Sequence, residues 1–579
     1  MSGVRSEGLS DGAVLAIVGG AAGLAGAIWL WGGLAGALFG RGWPTPAPSQ
    51  LLEVLIRLPT RLGDPARAWP RPARALLPDA PGFYAALCLM AAAGVALLLL
   101  VRSSGMLLRV GSAGARWAAA PELRRLRRRA HGPWRPRRAR RPWPPPRGPA
   151  DTRLTLGRRG FSPLYAEHRH ALIAFGPPQS GKSAALAIPA LLEWRGPAVA
   201  SSIKTDLLSA TLARRARLGR GFIFDPFRLS GQPSSTWSPL TAAGTWDGAL
   251  EVAWRLAAAG ELDHHGVEGG DFWATAAEQR LAPLLFTAAR TGAGIEALVR
   301  WAYGQGSREL DQALALLTGE ATSESELADA HMAYDAVRAF EAQADRTRTS
   351  IEATTQALLR AYRFRRVAAS ARGSEITPDG VLNGASTLYL VGDAKASKLL
   401  RPIFLALLGE LIDRAYERAT AEGGALTQPL LVCLDEAGNV APLPNLAEIA
   451  STAPSHNIQL VSIFHDLSQA RSRYGRQAET VINSHRARML LPGVADLETL
   501  RYFAALLGDE EVRETTRTIG AGGSTRSLGS RSRPLVAAEA LRQLPDRHAL
   551  LIYGRIPPVR VRLRMWFEDR ALRRLARAT

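Results

Sequence analysis

The pattern of hydrophobic and polar positions divides the chain into two parts. No charged residue occurs from Ala13 to Gly40, and Phe83–Val101 (FYAALCLMAAAGVALLLLV) is a second uncharged run. Each is close to or beyond the ~20 apolar residues that span a bilayer as a helix. Soluble cores rarely omit charge over such lengths, so residues 13–40 and 83–101 are predicted as two transmembrane helices, with 41–82 as a short loop between them. Beyond residue 150 the pattern changes. Short apolar runs end in Gly, Asp or Pro: ALIAF at 171–175, GFIFDPF at 221–227, STLYLVGD at 386–393 and Leu430–Leu434. Continuous apolar runs of this length suit strands covered on both faces. They alternate with helical patterns, which predicts a doubly wound α/β domain. Residues 245–375 instead carry helical periodicity with few strand signals, as in AAEQRLAPLLFTAAR and RTSIEATTQALLRAY.

Charge refines the membrane end more than it identifies a partner. The net charge is +21, but 14 arginines against the single acid Glu122 fall between Arg102 and Arg147. By the positive-inside rule this side is cytoplasmic, so both termini are cytoplasmic, with residues 1–12 as an internal tail. The prolines, Trp134 and Trp143 make 102–150 an extended basic linker suited to anionic headgroups. Only four of the 72 cationic residues are lysines, an arginine bias typical of a GC-rich coding sequence. Global basicity is therefore no argument for nucleic-acid binding. Cys88 and Cys433 have no CxxC neighbour, which excludes a disulfide framework and a structural zinc site. The pair His264-His265 lacks ligand spacing and is read as loop.

The chemistry sits in two motifs. Gly176-Pro177-Pro178-Gln179-Ser180-Gly181-Lys182-Ser183 matches G-x-x-x-x-G-K-[ST], preceded by a strand pattern and followed by a helical one. Such a loop wraps its backbone N–H groups around phosphate oxygens at the positive end of a helix. Lys182 then reaches the β- and γ-phosphates, and Ser183 offers its hydroxyl to Mg²⁺. The second motif is the apolar run Leu430–Leu434 ending in Asp435-Glu436. Asp435 is expected to hold Mg²⁺ through water, and Glu436 to orient or deprotonate the attacking water. Together the two predict a P-loop ATPase with ATP and Mg²⁺ as its ligands. Asp225, in FDPF, is read either as a strand-end functional group or as the start of an Asp-Pro turn.

With these in place, the sequence resembles the type IV secretion coupling proteins, the conjugative DNA-transfer ATPases. The matching segments run in order: the P-loop, SIKTDLL at 202–208, FDPF at 224–227, WSPL at 237–240, FW at 272–273 and TLYLVGD at 387–393. LDEAGN at 434–439, IQLVSIFHDLSQARSRYG at 458–475, INSHRARMLLPGVAD at 482–496 and the final LPDRHALLIYGRIPPVRVRLRMW follow. The resemblance implies a RecA-type motor, residues 151–244 and 376–579, interrupted by an all-α domain at 245–375. It further implies a homo-hexameric ring in the plasma membrane that moves single-stranded DNA or a relaxase–DNA complex to the secretion channel proteins. Its third motif usually carries Gln where this chain has His465, so His465 or Gln469 is the expected γ-phosphate sensor. Asn483 is a candidate phosphate or water ligand, or else a turn cap. STAPSHN at 451–457 lacks the arginine that some relatives use in trans. IGAGGSTRSLGSRSRP at 519–534 reads as a flexible loop. Two alternatives stay open: a protein-recruiting or gating ATPase of a secretion system, and a septal DNA pump.

Overall fold

In the computed structural model, residues 11–104, 114–127, 153–261, 270–520 and 523–577 are described. His264-His265 and most of the basic linker, including Trp134 and Trp143, lie outside them. The chain forms two compact units, Met1–Gly111 and Ser112–Thr579.

In the first unit the Asp11–Phe39 and Ala80–Ser104 helices pack together. Trp31, Val54, Trp69 and Phe83 form their small core, and the Trp31 indole N–H donates to the Phe83 carbonyl at 2.8 Å. A Cβ on Gly32 would lie 2.1 Å from the Trp69 ring, so this crossing needs a glycine. The predicted loop between the helices is itself partly helical, notably at Pro48–Arg57. Among the described residues one helical stretch, Ala80–Leu97, is long and apolar enough to cross a membrane. Gly23–Phe39 is apolar but shorter, so a second span is not established.

Among the described residues the second unit carries thirteen strands: β1 (Thr155–Arg159), β2 (Ser162–Tyr165), β3 (Leu172–Phe175), β4 (Ala198–Ser202), β5 (Gly221–Phe224), β6 (Thr387–Val391), β7 (Leu430–Leu434), β8 (Ile458–Phe464), β9 (Ala487–Leu490), β10 (Asp509–Gly520), β11 (Gly523–Pro534), β12 (His548–Tyr553) and β13 (Ile556–Arg562). Eleven form one mixed sheet in the order β2-β1-β13-β12-β9-β3-β8-β7-β4-β6-β5. From β9 to β5 every pairing is parallel; from β9 outward through β12, β13, β1 and β2 every pairing is antiparallel.

The continuous apolar runs follow from burial on both faces. In β3, Ile173 and Phe175 enter one core while Leu172 and Ala174 enter the other; in β7, Val432 and Leu434 oppose Leu431 and Cys433. Eight α-helices, from Trp246–Glu261 to Pro378–Leu382, lie between β5 and β6 among the described residues. Their buried residues, such as Leu256, Leu284 and Trp301, join the same core as Phe175 and Phe224. The helices therefore share a core with one face of the sheet.

Several motif aspartates turn out to build the framework. Asp393 after β6, Asp466 after β8 and Asp496 after β9 each cap the next helix, accepting from Ala396, Gln469 and Thr499 backbone N–H groups at 2.7–2.8 Å. Buried Asp225 accepts from the Leu229 and Ser230 N–H groups at 3.0 and 2.7 Å, so it anchors the turn after β5. One reading is corrected: most of 519–534 is not loop but the return strand of the β10–β11 hairpin. Its Ser, Thr, Gly and Arg residues give no apolar alternation, so strand pairing left no hydrophobic signature.

Candidate active site

β3 delivers the P-loop between β8 and β9, where the Gly176 N–H donates to the Phe464 carbonyl at 3.0 Å. The loop then tightens. Ser180 N–H donates to the Pro177 carbonyl, while Gln179 and Gly181 take positive φ of 67° and 87°. Gly176 is required by close approach, since a Cβ there would lie 2.6 Å from Ser180 Oγ. The helix after the loop begins as one π-helical turn, Ser183–Ala187, before continuing as Ile188–Glu193.

Lys182 is nearly buried, 6% exposed, and its Nζ lies 2.9 Å from His465 Nδ1 and 3.6 Å from Glu436 Oε1. Burial lowers its pKa, although Glu436 and Asp435 pull the other way. An ammonium only donates, so His465 Nδ1 accepts and the ring proton sits on Nε2, 4.0 Å from Glu436 Oε2. Burial, reinforced by the Lys182 charge, lowers the His465 pKa below its usual 6.5, so the imidazole is neutral at pH 7.

Asp435 closes the metal side. Ser183 Oγ donates to its Oδ2 at 2.6 Å, with Ser202 Oγ at 3.4 Å from the same oxygen. Burial raises the Asp435 carboxyl from 3.8 to about 6. Its Oδ1 is buried with no hydrogen-bond partner, as is Ser180 Oγ. An orphaned buried carboxylate oxygen is costly unless a cation or donor joins it. The oxygen-only set of Ser183, Ser202 and Asp435 is the hard-donor chemistry that suits Mg²⁺.

Consecutive strand residues point to opposite faces, yet Asp435 and Glu436 both meet the P-loop. The backbone explains this: Glu436 has φ of +64°, a left-handed bend that non-glycine residues rarely adopt. Asn439 supports the bend. Its N–H donates to the Glu436 carbonyl at 2.9 Å, and its side-chain amide lies 3.4 Å from Glu436 Oε2. Gln469 Nε2 lies 3.3 Å from Asn439 Oδ1, and Gln469 Oε1 accepts from the His465 N–H at 2.9 Å.

The structure thus brings Lys182, Ser183, Asp435, Glu436 and His465 together, with Gln469 one shell behind the imidazole. Asn483 is not drawn into this contact set. It is exposed at the end of the Ala478–Ser484 helix, where its side-chain and backbone oxygens face Arg488 Nη2 at 3.4 and 3.1 Å. The buried polar group of that motif is His485, whose Nε2 meets Ser462 Oγ at 3.0 Å while burial lowers its pKa to about 4. Sequence reasoning assigned no role to Ser202 or Asn439. Ser202 carried one signal, its place at the C-terminal end of a parallel strand, where α/β proteins build their sites.

Known proteins resemble this chain over most of its second unit. The family described as type IV secretory system conjugative DNA transfer matches residues 146–578. The conjugal transfer protein TraG of Escherichia coli is 22% identical over 401 residues, covering 65% of this chain and 62% of TraG. VirD4 of Rhizobium radiobacter is 19% identical over 417 residues, covering 71% of this chain and 58% of VirD4. The chain thus spans about three fifths of the length of these relatives. The bacterial conjugative coupling protein TrwB, solved unbound without its N-terminal 70 residues, superposes with a TM-score of 0.50 at 18% identity, covering 69% of this chain and 85% of that one. A TrwB complex with the non-hydrolysable GTP analogue GDPNP gives the same TM-score, with 69% and 86% covered. With three quarters of its residues inside the family match and its motifs in order around one P-loop, the chain belongs to the type IV secretory system conjugative DNA-transfer family.

Proposed function

We propose that this protein is a membrane-anchored nucleoside triphosphatase that uses ATP hydrolysis to transfer DNA or a nucleoprotein substrate through a type IV secretion system. The observation that carries the reading is the convergence of Lys182, Ser183, Asp435 and Glu436 at the phosphate loop. Each has a defined task. The P-loop N–H groups from Gly176 to Ser183 bind phosphate oxygens, and Lys182 exchanges Glu436 and His465 for the β- and γ-phosphates. Glu436 accepts a proton from the attacking water, held at its angle by Asn439. His465 donates its Nε2–H to the γ-phosphate, and Gln469 fixes the backbone from which the imidazole projects. Ser183 and Asp435 would hold Mg²⁺, which would neutralise charge on the phosphate oxygens. TrwB in complex with a nucleotide analogue supports the ligand class.

We extend the reading to a homo-hexameric ring working with a relaxase–DNA complex and the secretion channel proteins. Two N-terminal spans, at 13–40 and 83–101, would place both termini in the cytoplasm, with the motor at 151–244 and 376–579 and an all-α domain at 245–375. The test uses the full-length protein in detergent micelles: ATP turnover and single-stranded DNA binding as salt is raised. We expect Mg²⁺-dependent turnover, and binding that weakens steeply with salt as phosphate contacts require. Absence of DNA binding at low salt would overturn the transport reading in favour of protein recruitment.

A further inference from the structure

The helices between β5 and β6 hold a buried charge that their packing does not explain. Arg280, in the Gly270–Arg290 helix, is 6% exposed, and its Nε and Nη1 have no hydrogen-bond partner. Its guanidinium lies over the Phe340 ring, 4.0 Å from the centroid. Burial lowers its pKa, while Glu352 and Glu341 act on it through space in the opposite sense. A cation–π contact offsets only part of the penalty of burying a charge without hydrogen bonds. The buried guanidinium of Arg215 shows the contrast, since it donates to three carbonyls and a hydroxyl.

Arg280 lines a cavity of about 200 Å³ with Trp301, Leu310, Phe340 and Glu352. Its mouth is the loop before the Ser307–Glu320 helix, where Gly306 and Ser307 are exposed. Gly306 is the N-cap residue, and no side chain caps the first-turn N–H groups there. The positive end of a 14-residue helix therefore borders the same space as the unpaired guanidinium. The charges around it are mostly engaged: Glu309 with Arg300 at 2.6 Å, Glu341 with Arg338 at 2.7 Å, and Arg348 with Asp345. Glu352 is the one carboxylate of the wall without an ion pair of its own among the described residues.

We propose that this cavity is a carboxylate-binding site, with Arg280 as its anion-binding group. A guanidinium matches a carboxylate through two parallel hydrogen bonds. One free guanidinium beside Glu352 suits a monoanion better than a doubly charged phosphate, and Trp301, Leu310 and Phe340 offer an apolar wall to the stem that carries it. At about 200 Å³ the cavity is smaller than the roughly 300–1,000 Å³ of sites for drug-sized ligands. The ligand is therefore a monocarboxylate on an apolar stem, borne by a glutamate of a protein partner or by a free small acid. The proposal is independent of the nucleotide site.

The test is ligand-observed NMR titration of the full-length protein in micelles with isocaproate, its neutral isostere isocaproamide, N-acetylglutamate α-amide and inorganic phosphate. Wild type should bind isocaproate at least about tenfold more tightly than the amide, and more tightly than phosphate. Arg280→Met should lose about tenfold of the isocaproate affinity, leave the amide unchanged and melt no lower than wild type, because it removes an unpaired buried charge. Glu352→Gln should bind isocaproate about threefold more tightly, since a like charge leaves the wall. N-acetylglutamate α-amide binding as tightly as isocaproate would support the site with a protein carboxylate as its ligand; binding about tenfold more weakly would support it with a free acid. Equal affinity for isocaproate and its amide, or tighter binding of phosphate, would overturn the proposal. A fall in the melting temperature of Arg280→Met, or weaker isocaproate binding by Glu352→Gln, would make the two residues a structural pair and overturn it as well.

Discussion

The parallel strands β9 to β5 and the antiparallel extension β12-β13-β1-β2 solve the same problem differently, as two buried arginines show. Under the parallel half, Arg215 is fully buried and donates to the Trp194, Gly196 and Ala385 carbonyls and to Thr387 Oγ1, at 2.6–3.0 Å. No carboxylate is among these partners, and burial lowers its pKa to about 10. In the extension, burial also opposes the charge on Arg564, but Glu193 and Asp569 outweigh it and hold its pKa above the usual value. Around Arg215 the parallel half is held by neutral dipoles rather than by a charge pair. The extension spends its charges on holding the C-terminal segment against the P-loop helix, which ends at Glu193. Chemistry and attachment are thus separable, and substitutions should separate them.

The largest expected effect is in the parallel half. Lys182→Ala should abolish measurable ATP binding while leaving the melting temperature of the nucleotide-free protein little changed; retained binding in calorimetry would remove Lys182 from the site. Glu436→Gln is next. It should bind ATP normally and lose about 10²- to 10⁴-fold in turnover, the range of a positioned general base. A normal steady-state rate would exclude Glu436 as the base.

Arg564→Ala tests the extension. Glu193 would lose its cation and Asp569 would keep only Arg158, at 2.6 Å, so stability should fall by up to ~3 kcal/mol, read from chemical denaturation in micelles. If stability were unchanged, the attachment would not depend on this arginine.

Asp435→Asn sharpens the contrast through pH. Because the folded carboxyl is raised to about 6, the native state holds a proton between about pH 4 and 6 that the unfolded chain has released. Stability of the metal-free, nucleotide-free protein therefore falls as pH rises through that window, by up to ~3 kcal/mol. Asp435→Asn should melt higher than wild type at pH 7.5 and equally at pH 4, though it loses Mg²⁺-dependent turnover. Identical melting at both pH values would show that the carboxylate is not strained by burial.

The smallest effect is expected from His465→Gln. The imidazole is already neutral at pH 7, so the variant should keep its turnover there and differ only in more acidic solution, below the usual histidine range, where the histidine gains a proton. A large loss at pH 7.5 would mean that the imidazole does something an amide cannot.

Much of the site was legible because it is local. Gly176–Ser183 is one continuous loop whose spacing is set by the size of a phosphate, and Asp435-Glu436 ends an apolar run that burial on both faces explains. The rest was not legible because it depends on chain crossings. His465 came from its place in a motif, but its pairing with Lys182 spans 283 positions and exists only because β8 lies beside β3. Asn439 and Ser202 look like ordinary polar residues until the bend at Glu436 and the neighbouring strand end bring them to the carboxylates. The β10–β11 pairing left no trace in hydrophobicity, since neither strand carries the alternation that burial would impose.

By itself, the sequence determined the buried strands β3, β5, β6 and β7, the phosphate loop and the apolar N-terminal runs, because each depends on residues close together in the chain. Tertiary structure decided which polar groups share the site and which only cap helices, as with Asp435 and Asp466, because that depends on which strand ends become neighbours. It also decided that Met565 and Trp566 lie on Gly181 and Ala184. That contact joins residues nearly four hundred positions apart and is secured by one buried arginine between two carboxylates.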